Sequence, residues 1–276
     1  MEKEKTKKKI DIKRIVSALI GFPLVAIIMV LGNKYIVDVA MAIIAGIAIH
    51  EYLNAVSKKA NPVRWLAYLS CVSIAFIHIV PAKFIPTIGF IAIPTILLIL
   101  FLQIILTNMK TTFSDIAYTF LGICYVVFFS MCIAIVRGME NGKVLIWYAI
   151  IAAWGTDIFA YLIGKRFGKH KFSKISPNKS IEGCIAGIIG TIIFTIGFTY
   201  VMNIAFNMQI SLIKTTIIGL VLSIIGQIGD FAASSIKRDV EVKDFGNLIP
   251  GHGGMLDRID SLLFIAPFAY VLLSLI

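Results

Sequence analysis

The chain has 276 residues, 59% of them hydrophobic and only 15% charged, with a mean hydropathy of +0.92. A water-soluble domain of this length carries far more charge, so the composition excludes a soluble globular protein and indicates an all-α, polytopic integral membrane protein. The formal net charge of +11 would suit nucleic acid in a soluble protein; in a membrane chain it reports basic loops beside anionic membrane lipids, and no nucleic-acid partner is expected.

Residues 1–14 hold seven Lys and Arg and read as a disordered, basic cytoplasmic tail. The apolar run 15–31 lacks a small-residue cleavage site, so it reads as a retained helix rather than a signal peptide. Further apolar runs follow at 35–56, 65–80, 85–106, 115–136, 144–163, 183–206, 215–235 and 257–276. A crossing takes ~20 apolar residues, so about nine transmembrane helices are expected. The third is short, and Pro81, Pro86 and Pro94 blur its border with the fourth. The layout divides into the tail, N-terminal helices over 15–140 and a C-terminal region over 141–276 that holds the chemistry, in one membrane domain.

With the N-terminus in the cytoplasm, only Lys34, Lys83, Arg137, Lys143 and Lys214 fall on the outer side. All other cations fall inside, as the positive-inside rule requires. The cysteines, Cys71, Cys124, Cys132 and Cys184, lie in apolar runs without metal or disulfide spacing and read as packing thiols.

Ionisable groups within membrane helices are costly and mark function by default. The eighth apolar run carries Ser223, Gln227, Asp230, Ser234 and Lys237 at helical spacing, a polar stripe on one face. Asp230 lies ~10 Å below the cytoplasmic end and Asp157, on the sixth run, ~12 Å below it, at 1.5 Å per residue. Asp257 and Asp260 share one face at the start of the last run. Four carboxylates directed to one cytoplasmic pocket repel one another, and a hard cation such as Mg²⁺ would relieve that. Ion pairs that merely join helices are the competing reading for any single Asp.

Two segments offer anion sites. The basic loop 165–179 ends in Ser176-Pro177-Asn178-Lys179-Ser180 ahead of Glu182, placing hydroxyls, an ammonium and backbone N–H groups at a helix start. The turn Gly251-His252-Gly253-Gly254 offers further N–H groups. Elsewhere, His50 and Glu51 read as structural or as rim residues, Asp38 as lying near the outer surface, and His78 as a packing histidine. Gly183 and Gly187 form a small-xxx-small pair suited to close helix packing.

The stretch Ser234–Asp260 carries Ser-x-Ile-Lys-Arg, then Lys243-Asp244-x-Gly246, then Ile249-Pro250-x-His252-Gly253-Gly254-Met255-x-Asp257-Arg258-Ile259-Asp260. It resembles the signature of the phosphatidate cytidylyltransferase (CDP-diacylglycerol synthase) family without departure. Ser176, Lys179, Ser180, Glu182 and Gly183, with Asp157, Tyr161 and Gly164, are similar to further family features; the N-terminal half matches only in being hydrophobic. The resemblance implies transfer of the cytidylyl group of CTP to phosphatidate, giving CDP-diacylglycerol and pyrophosphate for phospholipid biosynthesis. It implies a homodimer in the cell membrane with its active site facing the cytoplasm. It also implies Mg²⁺ on Asp230 and Asp257 with Asp260 beside them, and K⁺ as a possible neighbouring ion. Lys237, Arg238, Lys243 and Arg258 would hold phosphates, with Ser234, Asp244, His252, Gly253 and Gly254 lining the site. An ion-coupled transporter, or another lipid-phosphate transferase or kinase, is the alternative. A transporter would show internal repeats and a midplane site, and the aspartate spacing of CDP-alcohol phosphotransferases is missing from the sequence.

Overall fold

A computed structural model describes residues 21–276 other than Phe22, Leu24, Lys174, Asn178, Pro250 and His252. The basic tail and about half of the first apolar run therefore lie outside the described residues, though residues 25–31 are helical. Eight helices follow: α1 (Lys34–Val56), α2 (Arg64–Ile74), α3 (Ile85–Leu106), α4 (Phe113–Gly138), α5 (Gly142–Phe167), α6 (Ile181–Phe206), α7 (Leu212–Asp239) and α8 (Leu256–Leu273). Among the described residues there is no strand, only the isolated bridges Lys171↔Ser180 and Ile249↔Gly253. Nine helical segments are thus described. Six are long and apolar enough to cross a membrane: α1, α3 with the 3₁₀ turn before it, and α4 to α7. The protein is a polytopic membrane protein.

Capping residues set several starts. Asn33 accepts the Ile36 N–H at 2.9 Å to open α1. Thr112 and Asp115 form a capping box on α4, and Asp115 also accepts the Asn61 N–H at 2.5 Å. The short run read over 65–80 stops early: α2 ends at Ile74 and gives way to turns before Pro81. Eleven residues span only ~16 Å, half of a ~30 Å hydrocarbon core, so the helical part of this run covers only half of a crossing. Two helices contain π-wound stretches, Ile123–Phe128 in α4 and Ile151–Gly155 in α5.

The chain forms two compact units. The first comprises the described residues up to Gly138 together with Asp239–Arg258. Its core includes the fully buried Ile49, Tyr52, Leu53, Ile74, Leu100 and Ile133. Asp38 is here 0% exposed, with His78 Nδ1 2.7 Å from its Oδ1, and the His78 ring packs against Gly138. Asp38 is a buried partner of that ring. Arg137 is buried too and donates to the carbonyls of Met29 and Gly32 at 2.8 and 2.7 Å, closing the end of the first helical segment.

The second unit comprises Met139–Arg238 and Ile259–Ile276. Its densest seam joins α5 to α6. A Cβ on Gly183 would come within 2.8 Å of the Ala160 carbonyl, and one on Gly187 within 2.9 Å of the Thr156 carbonyl, while Gly190 receives the ring of Phe159. The small-xxx-small pair faces α5, as its spacing suggests. Thr156 Oγ1 lies 2.8 Å from Thr191 Oγ1 across the same seam, and Tyr148 Oη 2.9 Å from Thr199 Oγ1.

Candidate active site

In the second unit the polar stripe of α7 meets α6 and the strap before it. Gln227 donates to the Cys184 carbonyl at 3.1 Å. One turn on, Asp230 forms an ion pair with Lys179. The Lys179 ammonium also lies 4.7 Å from the centroid of Phe231, so a carboxylate and an aromatic face share one cation. Lys179 is held there by its strap. Its N–H donates to the Ser176 carbonyl at 3.1 Å and its own carbonyl accepts the Phe172 N–H at 3.1 Å. Phe172 in turn stacks on Phe231 at 4.6 Å.

Two residues expected at the substrate have local partners. The Ser180 hydroxyl is the N-cap of α6 and accepts the Gly183 N–H at 3.1 Å. Glu182 clamps the strap, accepting the N–H groups of Lys169 and His170 and lying 2.6 Å from His170 Nδ1. Arg238 reaches back to the Ile175 carbonyl at 3.5 Å, a contact at the limit of hydrogen bonding.

Three helices of this unit contribute carboxylates: Asp157 on α5, Asp230 on α7 and Asp260 on α8. Asp157 and Asp230 lie near enough to repel the buried Asp260, and Lys237 near enough to attract it. Asp260 Oδ1 accepts the Ser261 N–H at 2.8 Å. Among the described residues no three His, Cys, Asp or Glu side chains are gathered as the ligands of one ion. The donor chemistry nonetheless fits Mg²⁺, which uses one or two carboxylates and completes its shell with substrate phosphates and water.

In the first unit the loop from Asp239 to Arg258 is folded around two carboxylates. Asp257 Oδ2 accepts the N–H groups of Phe245 at 2.9 Å and Gly254 at 3.0 Å. Glu51, on α1, accepts those of Met255 at 3.0 Å and Leu256 at 2.8 Å. Gly253 adopts φ +87°, which favours glycine, and a Cβ there would also stand 3.1 Å from Asp257 Oδ2. Of the N–H groups expected to be open in the glycine turn, that of Gly254 is bonded to a carboxylate, and so are those of Met255 and Leu256 after it. Lys243, Asp244 and Arg258 are exposed on this loop. His252 lies outside the described residues, as does Asn178 of the strap.

Glu51 was read from sequence only as a structural or rim residue. Its signal was a carboxylate in the apolar run of α1, the feature that singled out Asp230. His50, its neighbour, lies 2.7 Å from Tyr68 Oη and 2.9 Å from Asn54 Nδ2, a structural cluster.

The sequence profile of the cytidylyltransferase family matches residues 12–276. A phosphatidate cytidylyltransferase of Bacillus subtilis (strain 168) is 38% identical over 191 residues, 67% of this chain and 68% of that protein. One of Staphylococcus aureus (strain COL) is 36% identical over 235 residues, 84% of this chain and 87% of that protein. A third, of Staphylococcus haemolyticus (strain JCSC1435), is 37% identical over 170 residues, 61% and 63% of the two chains. With the match running from residue 12 to residue 276, and through the carboxylate-bearing helices α5, α7 and α8, this chain belongs to the cytidylyltransferase family.

Proposed function

We infer that the protein transfers the cytidylyl group of CTP to phosphatidate, releasing pyrophosphate and forming CDP-diacylglycerol for phospholipid synthesis. The observation that carries this reading is family membership over nearly the whole chain, with relatives named for that reaction. The site chemistry supports it. Phosphatidate brings a phosphate oxygen as nucleophile, so no Ser–His or Cys–His pair is required. That oxygen forms a bond to the α-phosphorus of CTP while the bond from the α-phosphorus to the bridging oxygen breaks, and the electron pair leaves with pyrophosphate. Catalysis of such a step is positioning and charge neutralisation.

Within the second unit Lys179 and Lys237 are the cations beside the carboxylates, and Arg238 is the next along α7. We propose that the Lys179 ammonium exchanges Asp230 for a phosphate oxygen when nucleotide binds. Asp230 and Asp260 would then hold a divalent ion, which supplies charge neutralisation to the phosphates when bound. Asp157 adds negative charge that favours the cation. In the first unit Lys243 and Arg258 are the phosphate-binding candidates, carried on a loop fixed by Asp257. A cell-membrane location, a cytoplasm-facing site and a homodimer complete the proposal. Basic residues crowding the strap and the α7–α8 loop support the orientation.

The test uses CTP labelled at either the α- or the γ-phosphorus, with purified protein in phosphatidate vesicles. The α-label is expected in the lipid fraction and the γ-label in pyrophosphate, both only when phosphatidate is present. Transfer of the γ-label to lipid would make the protein a lipid kinase and overturn the reading.

A further inference from the structure

Helix α8 begins without a capping side chain of its own. Met255 precedes it, and Met255 has no side-chain oxygen to accept the N–H groups left open in a first turn. Those N–H groups are nonetheless bonded, to a carboxylate two hundred residues earlier in the chain. The N–H groups of Met255 and Leu256 donate to Glu51 Oε1 and Oε2 at 3.0 and 2.8 Å. Glu51 is 7% exposed, so the bonds are made away from water, where leaving such groups unbonded is costly.

The loop is cut to fit that carboxylate. A Cβ on Gly246 or on Gly254 would run into the Glu51 carboxylate. Neither glycine has the positive φ that by itself favours the residue, so their smallness is explained by the room Glu51 occupies. The neighbours of Glu51 on α1 grip the same stretch. Tyr52 packs on Phe245 at 6.5 Å between ring centroids, Lys58 donates to the Glu241 carbonyl at 3.3 Å, and Lys59 pairs with Asp239 at 2.7 Å. Every one of these residues belongs to the first unit.

We propose that Glu51 is a positioning residue for the reaction. It is the remote N-cap of α8, and it fixes the turn that presents Asp257 and Arg258. This rests on the cytidylyltransfer reading, to which it adds a task for α1: that helix is the frame on which the signature loop is cast. Asp257 and Glu51 divide the turn: Asp257 Oδ2 takes the Phe245 and Gly254 N–H groups, and Glu51 those of Met255 and Leu256.

The test combines amide exchange with kinetics on the full-length protein in lipid nanodiscs. In the wild type, the Met255 and Leu256 amides should exchange at least 100-fold more slowly than the same amides in an unstructured peptide. In Glu51→Gln, whose side chain offers one acceptor oxygen instead of two, exchange across 254–258 should rise at least tenfold with α6 unchanged. The kcat should fall at least tenfold while the KM for CTP stays within threefold. Wild-type amides at 255 and 256 that exchange as fast as in an unstructured peptide would overturn the proposal without any variant, and so decide the matter even if Glu51→Gln fails to fold. A folded Glu51→Gln protein with unchanged kcat, or one whose activity falls only in step with its folded fraction, would overturn it as well. A wild type that exchanges as expected but does not use CTP would instead sink the functional reading and leave the capping role standing.

Discussion

Lys179 and Asp230 are each about one-fifth exposed, at 19% and 23%, so their pairing is neither a screened surface contact nor a fully desolvated one. The pair was not foreseen: each residue was singled out from sequence for its own chemistry, one as a phosphate grip and the other as a metal ligand. A strap of irregular backbone between them in space has no periodicity from which to predict the meeting. If Lys179 serves phosphate, Lys179→Ala should lower kcat/KM for CTP by ~1.5–3 kcal/mol, the range for charge-assisted hydrogen bonds, or roughly 10- to 150-fold. Steady-state CTP kinetics reads this directly, and unchanged kinetics would return the strap to a purely topogenic role. Asp38, read from sequence only as lying near the outer surface, is fully buried against His78. Asp38→Asn is therefore expected to lower stability by ~1–3 kcal/mol, seen as a lower Tm in detergent, with kcat of the folded fraction unaltered.

At the scale of elements, helix positions were legible and helix interiors were not. Apolar length and capping residues are local, so the expected run 183–206 became Ile181–Phe206 behind the Ser180 cap, and 85–106 became Ile85–Leu106. The π-wound Ile151–Gly155, which ends one residue before Thr156 and two before Asp157, left no mark in the composition. Neither did the early end of α2. The α5–α6 seam permits a sharp comparison. Gly187 has the Thr156 carbonyl 2.9 Å from where a Cβ would stand, and Gly197, on the same helix, has nothing within 4 Å. Backbone cannot move aside as a flexible side chain can, so Gly187→Val should cost ~1–3 kcal/mol through overpacking and reduce the yield of folded protein. Gly197→Val should be near neutral, and size-exclusion profiles of the two variants side by side check the difference. Equal behaviour would mean that the seam does not set the placement of Asp157.

For the whole molecule, hydropathy was enough to establish a helical membrane protein, and the signature enough to establish its family. The role of the N-terminal half was hidden because it depends on contacts between α1 and residues about two hundred positions later, which only the fold brings together. The proposed orientation rests on charge and has a direct test: in a cysteine-free background, Lys34→Cys should react with an impermeant thiol reagent on intact cells and Lys169→Cys should not. The reverse pattern would invert the proposed topology. The most direct test of the account is the turnover of Asp230→Asn, a change that removes a charge from the α7 stripe while nearly preserving shape. Purified, monodisperse Asp230→Asn protein, given α-labelled CTP, Mg²⁺ and phosphatidate, is expected to leave no label in lipid above background while melting within a few degrees of the wild type. The same folded protein converting CTP at the wild-type rate would contradict the assignment of this carboxylate, and with it the site from which the reaction has been argued.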